Sequence, residues 1–257
     1  MNRSRNGFSI LVVLLVMVGA WQGYIWVSHV PSYVLPSPLQ TAGAMWTNIP
    51  LLLHGSLLTS EGAVLGLAAA VVVAIALALT IVRWSFAKHA ILTYALLVRT
   101  LPIVGVVPIV TLVTGRGLAT SVLCVMIITV FSLLVSVTQG FESVPPEIGE
   151  LGDLYATPFR RRFRVTLLPS AAASLLLGLR VAAPLAVLGA LLAEWLDGFN
   201  GVGQLMITAN ADQEVQLLMA ACVTAVALSL AAFALVEIAG AVAGRRGYLV
   251  DNMGLGT

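Results

Sequence analysis

The polar stretch from Glu150 to Pro169 holds the densest group of residues that could take part in chemistry or recognition. It contains the arginines Arg160, Arg161, Arg162 and Arg164. Long apolar runs flank it on both sides, and a basic loop in such a position is typical of the cytoplasmic face of a membrane protein. We interpret the stretch either as a surface on which a partner docks, or as a solvated loop whose arginines only set the topology.

Three further ionisable residues, Arg99, Arg180 and Glu194, fall inside apolar runs or at their ends. An ionisable group within a membrane is costly and indicates either a functional site or an internal pair. One hypothesis is that Arg99, which precedes the helix-kinking Pro102, and Arg180 line a translocation path and attract an anion. The alternative, which we favour, is that both arginines snorkel to the cytoplasmic interface or pair with a helix end. Glu194 is expected at an outer gate or in contact with a partner on the outer side, or in an interfacial structural role.

Several kinds of chemistry have no support in the sequence. No G-x-x-x-x-G-K-[ST] phosphate loop occurs, so the chain is not expected to hydrolyse ATP by itself. Cys124 and Cys222 lie in apolar runs without a CxxC spacing, which is typical of core residues rather than metal ligands. The net charge of +2 does not indicate a nucleic-acid surface. We therefore expect no catalytic residue, no metal, no bound cofactor and no nucleic-acid partner.

The composition places these residues in a lipid bilayer. The chain has 257 residues, of which 60% are hydrophobic and 9% are charged, and its mean hydropathy is +1.02. Soluble domains average about 45–50% apolar and about 25% charged residues. The sequence therefore predicts an all-α, multi-pass membrane protein in which residues 1–257 form a single transmembrane domain.

The apolar runs divide this domain into about six transmembrane helices. The predicted spans are 8–27, 64–82, 90–114, 118–137, 171–193 and 217–242. The first run is longer than the core of a secretory signal peptide, so we interpret it as a membrane helix. The third should be kinked at Pro102 and Pro108. A core bundle is expected over residues 57–243, with a cytoplasmic loop at about 143–168.

The distribution of basic residues orients these spans. Of the 13 lysines and arginines, all except Arg99, Arg116 and Arg180 fall on one assigned side of the membrane. Since an excess of positive charge marks cytoplasmic loops, both termini are predicted to be cytoplasmic.

The loop that follows the fourth span has two signals for a helix start. The first is the proline and carboxylate pair at Pro146 and Glu147, and the second is Thr157 followed by Pro158. We therefore predict two short helices with a bend near Ala156. Apolar residues recurring at three- and four-residue steps should give the loop an apolar stripe.

This loop resembles the EAA loop of ABC importer permeases, whose pattern is Glu-Ala-Ala, three residues, Gly, nine residues and Ile-x-Leu-Pro. Glu150, Leu168 and Pro169 match that pattern. The departures are Leu151, Gly152, Ala156 and Thr166, so the motif is degenerate. In that family the loop forms a coupling helix that docks on a cytoplasmic ATPase. The resemblance implies ATPase-coupling roles for Glu150, Leu151, Gly152, Leu154, Tyr155, Ala156 and Pro169.

Other fragments extend the resemblance to most of the chain from Val34 onward. They are LPSP at 35–38, HGSL at 54–57, RTLPIVGVVPIVTLVTGRG at 99–117, LPSAAASLLLGLRVA at 168–182 and AEWLDGFNGVGQLM at 193–206. The set is similar to the permeases of nitrate, sulfonate, taurine and pyrimidine-precursor importers. The resemblance implies a type I ABC importer permease fold in a prokaryotic-type cell membrane.

The same resemblance implies the partners. These are a cytoplasmic ABC ATPase dimer that binds the ATP, an extracytoplasmic substrate-binding protein, a second permease copy and the surrounding lipid. The solute would be small, with an anion as one possibility. The competing hypothesis is an ion-coupled secondary transporter in which Arg99, Arg180 and Glu194 form a charge relay, but no internal repeat is evident. A membrane enzyme has less support, because paired catalytic residues are lacking.

Overall fold

The computed structural model describes residues 3–84, 86–145, 147–148, 154–155 and 158–245, and these residues form helices joined by short loops and turns. The helices are α1 (Arg3–Ser28), α2 (Pro38–Thr47), α3 (Ile49–Arg83), α4 (Ala87–Thr100), α5 (Ile103–Thr114), α6 (Leu118–Glu142), α7 (Phe159–Arg162), α8 (Leu168–Asp197), α9 (Val202–Ala211) and α10 (Val215–Arg245). A π-helical segment, Phe163–Leu167, joins α7 to α8. The all-α prediction is confirmed.

Four helical stretches in the described residues are long and apolar enough to cross a membrane. They are Ile49–Arg83, Leu118–Glu142, Arg160–Asp197 and Val215–Ala243. The bent pair α4–α5 makes a fifth span if it is counted as one. Helix α1 covers the predicted first span, 8–27, and whether it crosses the membrane stays a prediction.

The third predicted span, 90–114, is broken into two helices rather than kinked. Helices α4 and α5 meet at an angle of 98° across Leu101 and Pro102. A proline disfavours helical angles at the residue before it, and Leu101 accordingly adopts an extended ψ of 129°. The second proline, Pro108, stays inside α5. The break therefore occurs at the first proline alone.

The loop before the fifth span also differs from its prediction. A helix does begin after Pro158, whose carbonyl oxygen accepts hydrogen bonds from the backbone N–H groups of Arg161 and Arg162 at 2.9 and 3.1 Å. It is not a separate short helix, however, because it continues through the π-helical segment into α8. The predicted bend at Ala156 lies outside the described residues. The arginine cluster is thus built on the same continuous rod as the fifth span.

Helices α3, α6 and α8 form the centre of the bundle, with α6 packed against both of the others. On α3 the buried face carries small residues at four-residue steps: Gly62, Gly66, Ala70, Ala74 and Ala78. Small residues let the backbones of membrane helices approach closely, which increases van der Waals contact where lipid provides no hydrophobic driving force. Large fully buried side chains of α6, such as Leu133 and Leu134, fill the opposite side of this core.

Gly66 provides a test of this close packing. A Cβ atom there would lie 2.5 Å from the Cβ of Val125 in α6, so we expect Gly66→Ala to lower the free energy of unfolding by about 1–3 kcal/mol. The measurement is thermal unfolding of the purified protein in mild detergent. Gly105→Ala is the matched control, because it is also helical and nothing lies within 4 Å of its added Cβ. Equal stability of the two variants would contradict the packing argument.

Candidate functional site

Two carboxylates near the end of α8 are buried, although both are acidic and lie in an apolar bundle. Glu194 is 1% exposed and Asp197 is 3% exposed. They are three residues apart on the helix and therefore lie on the same side of it. Buried charges need hydrogen-bond partners, and each of these carboxylates has one at the beginning of another helix.

Glu194 binds the beginning of α9. Its Oε2 atom accepts hydrogen bonds from the hydroxyl of Thr59 in α3 and from the backbone N–H of Gly203, both at 2.9 Å. The Thr59 hydroxyl oxygen in turn accepts a hydrogen bond from the backbone N–H of Val202 at 3.0 Å. The first N–H groups of a helix lack partners within the helix and carry partial positive charge. The network therefore satisfies two of them and places a carboxylate where the dipole of α9 favours it.

A glycine allows this carboxylate to approach α9. At Gly201, the residue before α9, an added Cβ would overlap the carboxyl group of Glu194. The backbone angles of Gly201 are extended, so the space around it, rather than strain, excludes a side chain.

Asp197 binds the beginning of α6 in the same way. Its Oδ2 atom accepts a hydrogen bond from the backbone N–H of Gly117 at 2.7 Å. Gly117 is the residue before α6 and has a φ of 132°, a value that side-chain-bearing residues rarely adopt. One end of α8 thus holds α9 through Glu194 and α6 through Asp197.

The sequence predicts a gate, a partner contact or an interfacial role for Glu194, and it does not single out Thr59 or Asp197. Thr59 is separated from Glu194 by 135 residues in the sequence, and Asp197 is separated from Gly117 by 80. The available signal was an acidic pair three residues apart, followed by the glycine-rich GFNGVG. That pattern predicts that the carboxylates cap other helices only when it is known that the beginnings of α6 and α9 lie against the end of α8.

Arg99, in the last turn of α4, is exposed on the protomer and lies level with the middle of α6. Its guanidinium carbon is 5.1 Å from the centroid of the Phe131 ring, and Phe131 is close to the midpoint of α6. The arginine is therefore far along α6 from both of its ends. Its location relative to the cytoplasmic interface and its function stay predictions.

A cavity of about 300 Å³ opens beside Arg99. Residues on either side of the α4–α5 break line it, together with residues of α6 and α8. Their side chains are mostly branched aliphatic groups, and Ser132 adds a hydroxyl. The structure thus brings Arg99 and the Pro102 break to one place.

Arg180 and Glu194 do not line that cavity. The Nε atom of Arg180 lies 2.9 Å from Oε1 of Glu237, so this arginine forms an ion pair between α8 and α10. The sequence-based expectation of a functional site or an internal pair for an ionisable group in an apolar run includes such a pair, whereas the helix end that was named as a partner of Arg180 is a different one. The proposed charge relay of Arg99, Arg180 and Glu194 therefore finds no contact among its members in the described residues.

The predicted ATPase-coupling residues are described only in part. Leu154 and Tyr155 are 78% and 77% exposed, and Pro169 is exposed in the first turn of α8. Glu150, Leu151, Gly152 and Ala156 lie outside the described residues. An ion pair of 2.6 Å between Lys88 and Glu142 connects α4 to α6 on the same predicted cytoplasmic side. Whether the exposed Leu154 and Tyr155 contact an ATPase stays a prediction.

We also looked for side chains that could bind a metal ion. Within the described residues, no three side chains of His, Cys, Asp or Glu come close enough together to hold a metal ion.

Comparison with known proteins identifies a family described as the binding-protein-dependent transport system inner membrane component, which matches residues 70–246. A probable ABC transporter permease protein of Haemophilus influenzae is 28% identical over 224 residues, covering 86% of this chain and 90% of the relative. A riboflavin transport system permease protein, RibX, of Chloroflexus aurantiacus is 27% identical over 226 residues, covering 87% and 84%. A formylaminopyrimidine transport permease protein, ThiX, of Halalkalibacterium halodurans is 28% identical over 211 residues, covering 79% and 81%.

The hydroxyl of Thr59 allows a test of the buried network. Thr59→Val keeps the side-chain shape but leaves the Val202 N–H without its acceptor, so we expect a loss of about 1–3 kcal/mol in stability. Hydrogen exchange should also become faster at the start of α9. Thr80→Val is the control, because among the described residues its hydroxyl bonds to Ala76 of the same helix and to no other helix. If exchange in α9 were unchanged in Thr59→Val, the network would not be what holds that helix.

Proposed function

Because the chain belongs to the family of binding-protein-dependent transport system inner membrane components and is the permease subunit of an ABC importer, we propose that it moves a small heterocyclic solute across the cell membrane. The multi-pass helical bundle is the membrane-embedded part of that importer. The family assignment replaces the alternative of an ion-coupled secondary transporter.

The names of two relatives support the solute class. One is a riboflavin permease and the other is a formylaminopyrimidine permease, and both molecules contain nitrogen heterocycles. They agree with the pyrimidine-precursor part of the sequence-based grouping and give no support to nitrate, sulfonate or taurine. We therefore propose a flat heterocycle, rather than an inorganic anion, as the solute.

Three partners complete the proposed importer. An extracytoplasmic binding protein delivers the solute, a cytoplasmic ATPase dimer binds and hydrolyses ATP, and a second copy of the permease forms the other half of the path. The family description, with its reference to a binding protein, supports the first of these. The chain itself would contribute the path and the mechanical coupling.

The observation that favours mechanical coupling is the continuity of the fifth span. Helical structure runs without a break from Phe159 through the π-helical segment to Asp197. A displacement at the predicted ATPase-docking end would therefore be carried along one rod. At its far end, Glu194 and Asp197 bind the beginnings of α9 and α6, so those helices would move with it. This is a route by which ATP binding could alternate access to the path.

Tyr155 tests the docking surface. If its exposed ring fills a groove on the ATPase, Tyr155→Ala should weaken the complex by about 2 kcal/mol, or roughly 30-fold in Kd. The measurement is the amount of ATPase that co-purifies with the tagged permease in mild detergent, followed by a titration of the reconstituted pair. Phe86→Ala is the matched control, because Phe86 is an equally exposed aromatic residue between α3 and α4 on the same predicted side. Equal retention of the ATPase by both variants would contradict a docking role for Tyr155.

A further inference from the structure

We propose that the cavity at the α4–α5 break binds the solute halfway through the membrane, and that Arg99 recognises the solute by its hydrogen-bond acceptors. This inference rests on the proposed import function and adds to it a site and a recognition rule. Four features support it. They are the depth of the cavity, the break between α4 and α5, the hydrogen-bond donors of Arg99 and the apolar residues that line the cavity.

The depth follows from the helices that surround the cavity. Ile127 and Ile128 lie near the middle of α6, and Val181 and Leu185 lie near the middle of α8. Both helices are long enough to cross the membrane. The cavity therefore lies about midway along these two helices and opens on the side of the protomer, where Leu101, Val181 and Leu188 are exposed. Solute sites of membrane transporters commonly lie at this depth, next to discontinuous helices.

The broken helix needs water, protein or a ligand beside it. At Leu101 and Pro102 the helical hydrogen-bond pattern stops, and both residues are exposed on the protomer. Backbone groups released at membrane depth are tolerated only where they line a hydrated cavity or are covered by protein. The break opens on the cavity that contains Arg99, so a hydrated cavity accounts for both features.

Arg99 has donors to offer a ligand. It has no carboxylate partner among the described residues, whereas Arg180 is paired with Glu237. Arg99 is exposed on the protomer, and its contact with the face of Phe131 is a cation–π interaction that does not use the N–H groups of the guanidinium fork, so these groups are available to acceptors. A planar fork binds two adjacent acceptor atoms in a fixed geometry.

The residues that line the cavity determine which kind of molecule with hydrogen-bond acceptors can bind there. Most lining residues are leucine, isoleucine or valine, so a small inorganic anion would lose its hydration shell and gain one cation in return. An organic ring replaces water at such walls without that cost. The volume of about 300 Å³ lies at the small end of ligand pockets, and it suits a single ring better than a large molecule. The ligand class is therefore a pyrimidine-sized heterocycle that presents two neighbouring acceptor atoms.

The first experiment tests hydration of the cavity without requiring transport. In a Cys124→Ala, Cys222→Ala background, Ser132→Cys is treated with a charged, water-soluble methanethiosulfonate reagent in native membranes. Leu230→Cys is the control, because Leu230 is exposed near the middle of α10 and does not line the cavity. We expect Ser132→Cys to react at least about tenfold faster, since the thiolate reacts only where water reaches it. Equal rates would overturn the proposed site.

The second experiment tests recognition by Arg99. The complete importer in proteoliposomes is assayed for ATP-driven uptake of a labelled aminopyrimidine, with nitrate and taurine as comparison probes. Loss of a charge-assisted hydrogen-bond pair should raise the KM of Arg99→Gln by about 10- to 100-fold, with Arg99→Lys between it and the unaltered protein. Arg180→Gln is the control, because it removes an arginine whose partner is Glu237.

The outcomes separate the site from the function on which it rests. If uptake by the unaltered complex did not depend on ATP, the import function would be contradicted, whatever the reaction rates of Ser132→Cys show. ATP-driven uptake of the aminopyrimidine with an unchanged KM in Arg99→Gln would overturn recognition by Arg99 and leave the import function standing. ATP-driven uptake of nitrate or taurine alone would overturn the ligand class.

Discussion

The arrangement of the helices depends most on the hydrogen bonds that the buried carboxylate of Glu194 accepts. It is 1% exposed, and a charge in that position is stable only when its oxygens are hydrogen-bonded. The partners are Thr59 in α3 and Gly203 in α9, so a single side chain of α8 joins three helices. Asp197 adds α6 through Gly117. Without these bonds two helix beginnings would leave unsatisfied N–H groups inside an apolar bundle.

The rest of the structure has two parts, a closely packed centre and a periphery in which one helix pair is interrupted. Small residues on α3, such as Gly66 and Ala70, allow close contact with α6, and this packing leaves little freedom of movement. The α4–α5 pair is different, since Pro102 interrupts it and a cavity lies beside it. Helix α8 contributes to both parts. It packs in the centre, lines the cavity and continues at its other end into the arginine cluster.

The sequence was informative wherever the physical signal is local. Runs of apolar residues gave the positions of the long helices, because each membrane helix satisfies its own backbone and needs a fixed length. The proline at Pro102 indicated an interruption, and Pro158 indicated a helix start. Periodicity could not show that the helix from Phe159 continues into α8, because a start signal does not determine where the helix ends. Nor could it distinguish a kink from a break of 98°.

The amino-acid sequence by itself therefore determined the class of the protein, its long helices and its relationship to the permeases of ABC importers. Tertiary structure alone decided the environment of the ionisable residues. Arg99 and Arg180 have similar apolar surroundings in the sequence, yet one lies over Phe131 beside a cavity and the other pairs with Glu237. Glu194 meets Thr59 across 135 residues. The reason is that a charge in a membrane takes whichever partner the helix packing brings to it, and that partner comes from a different helix.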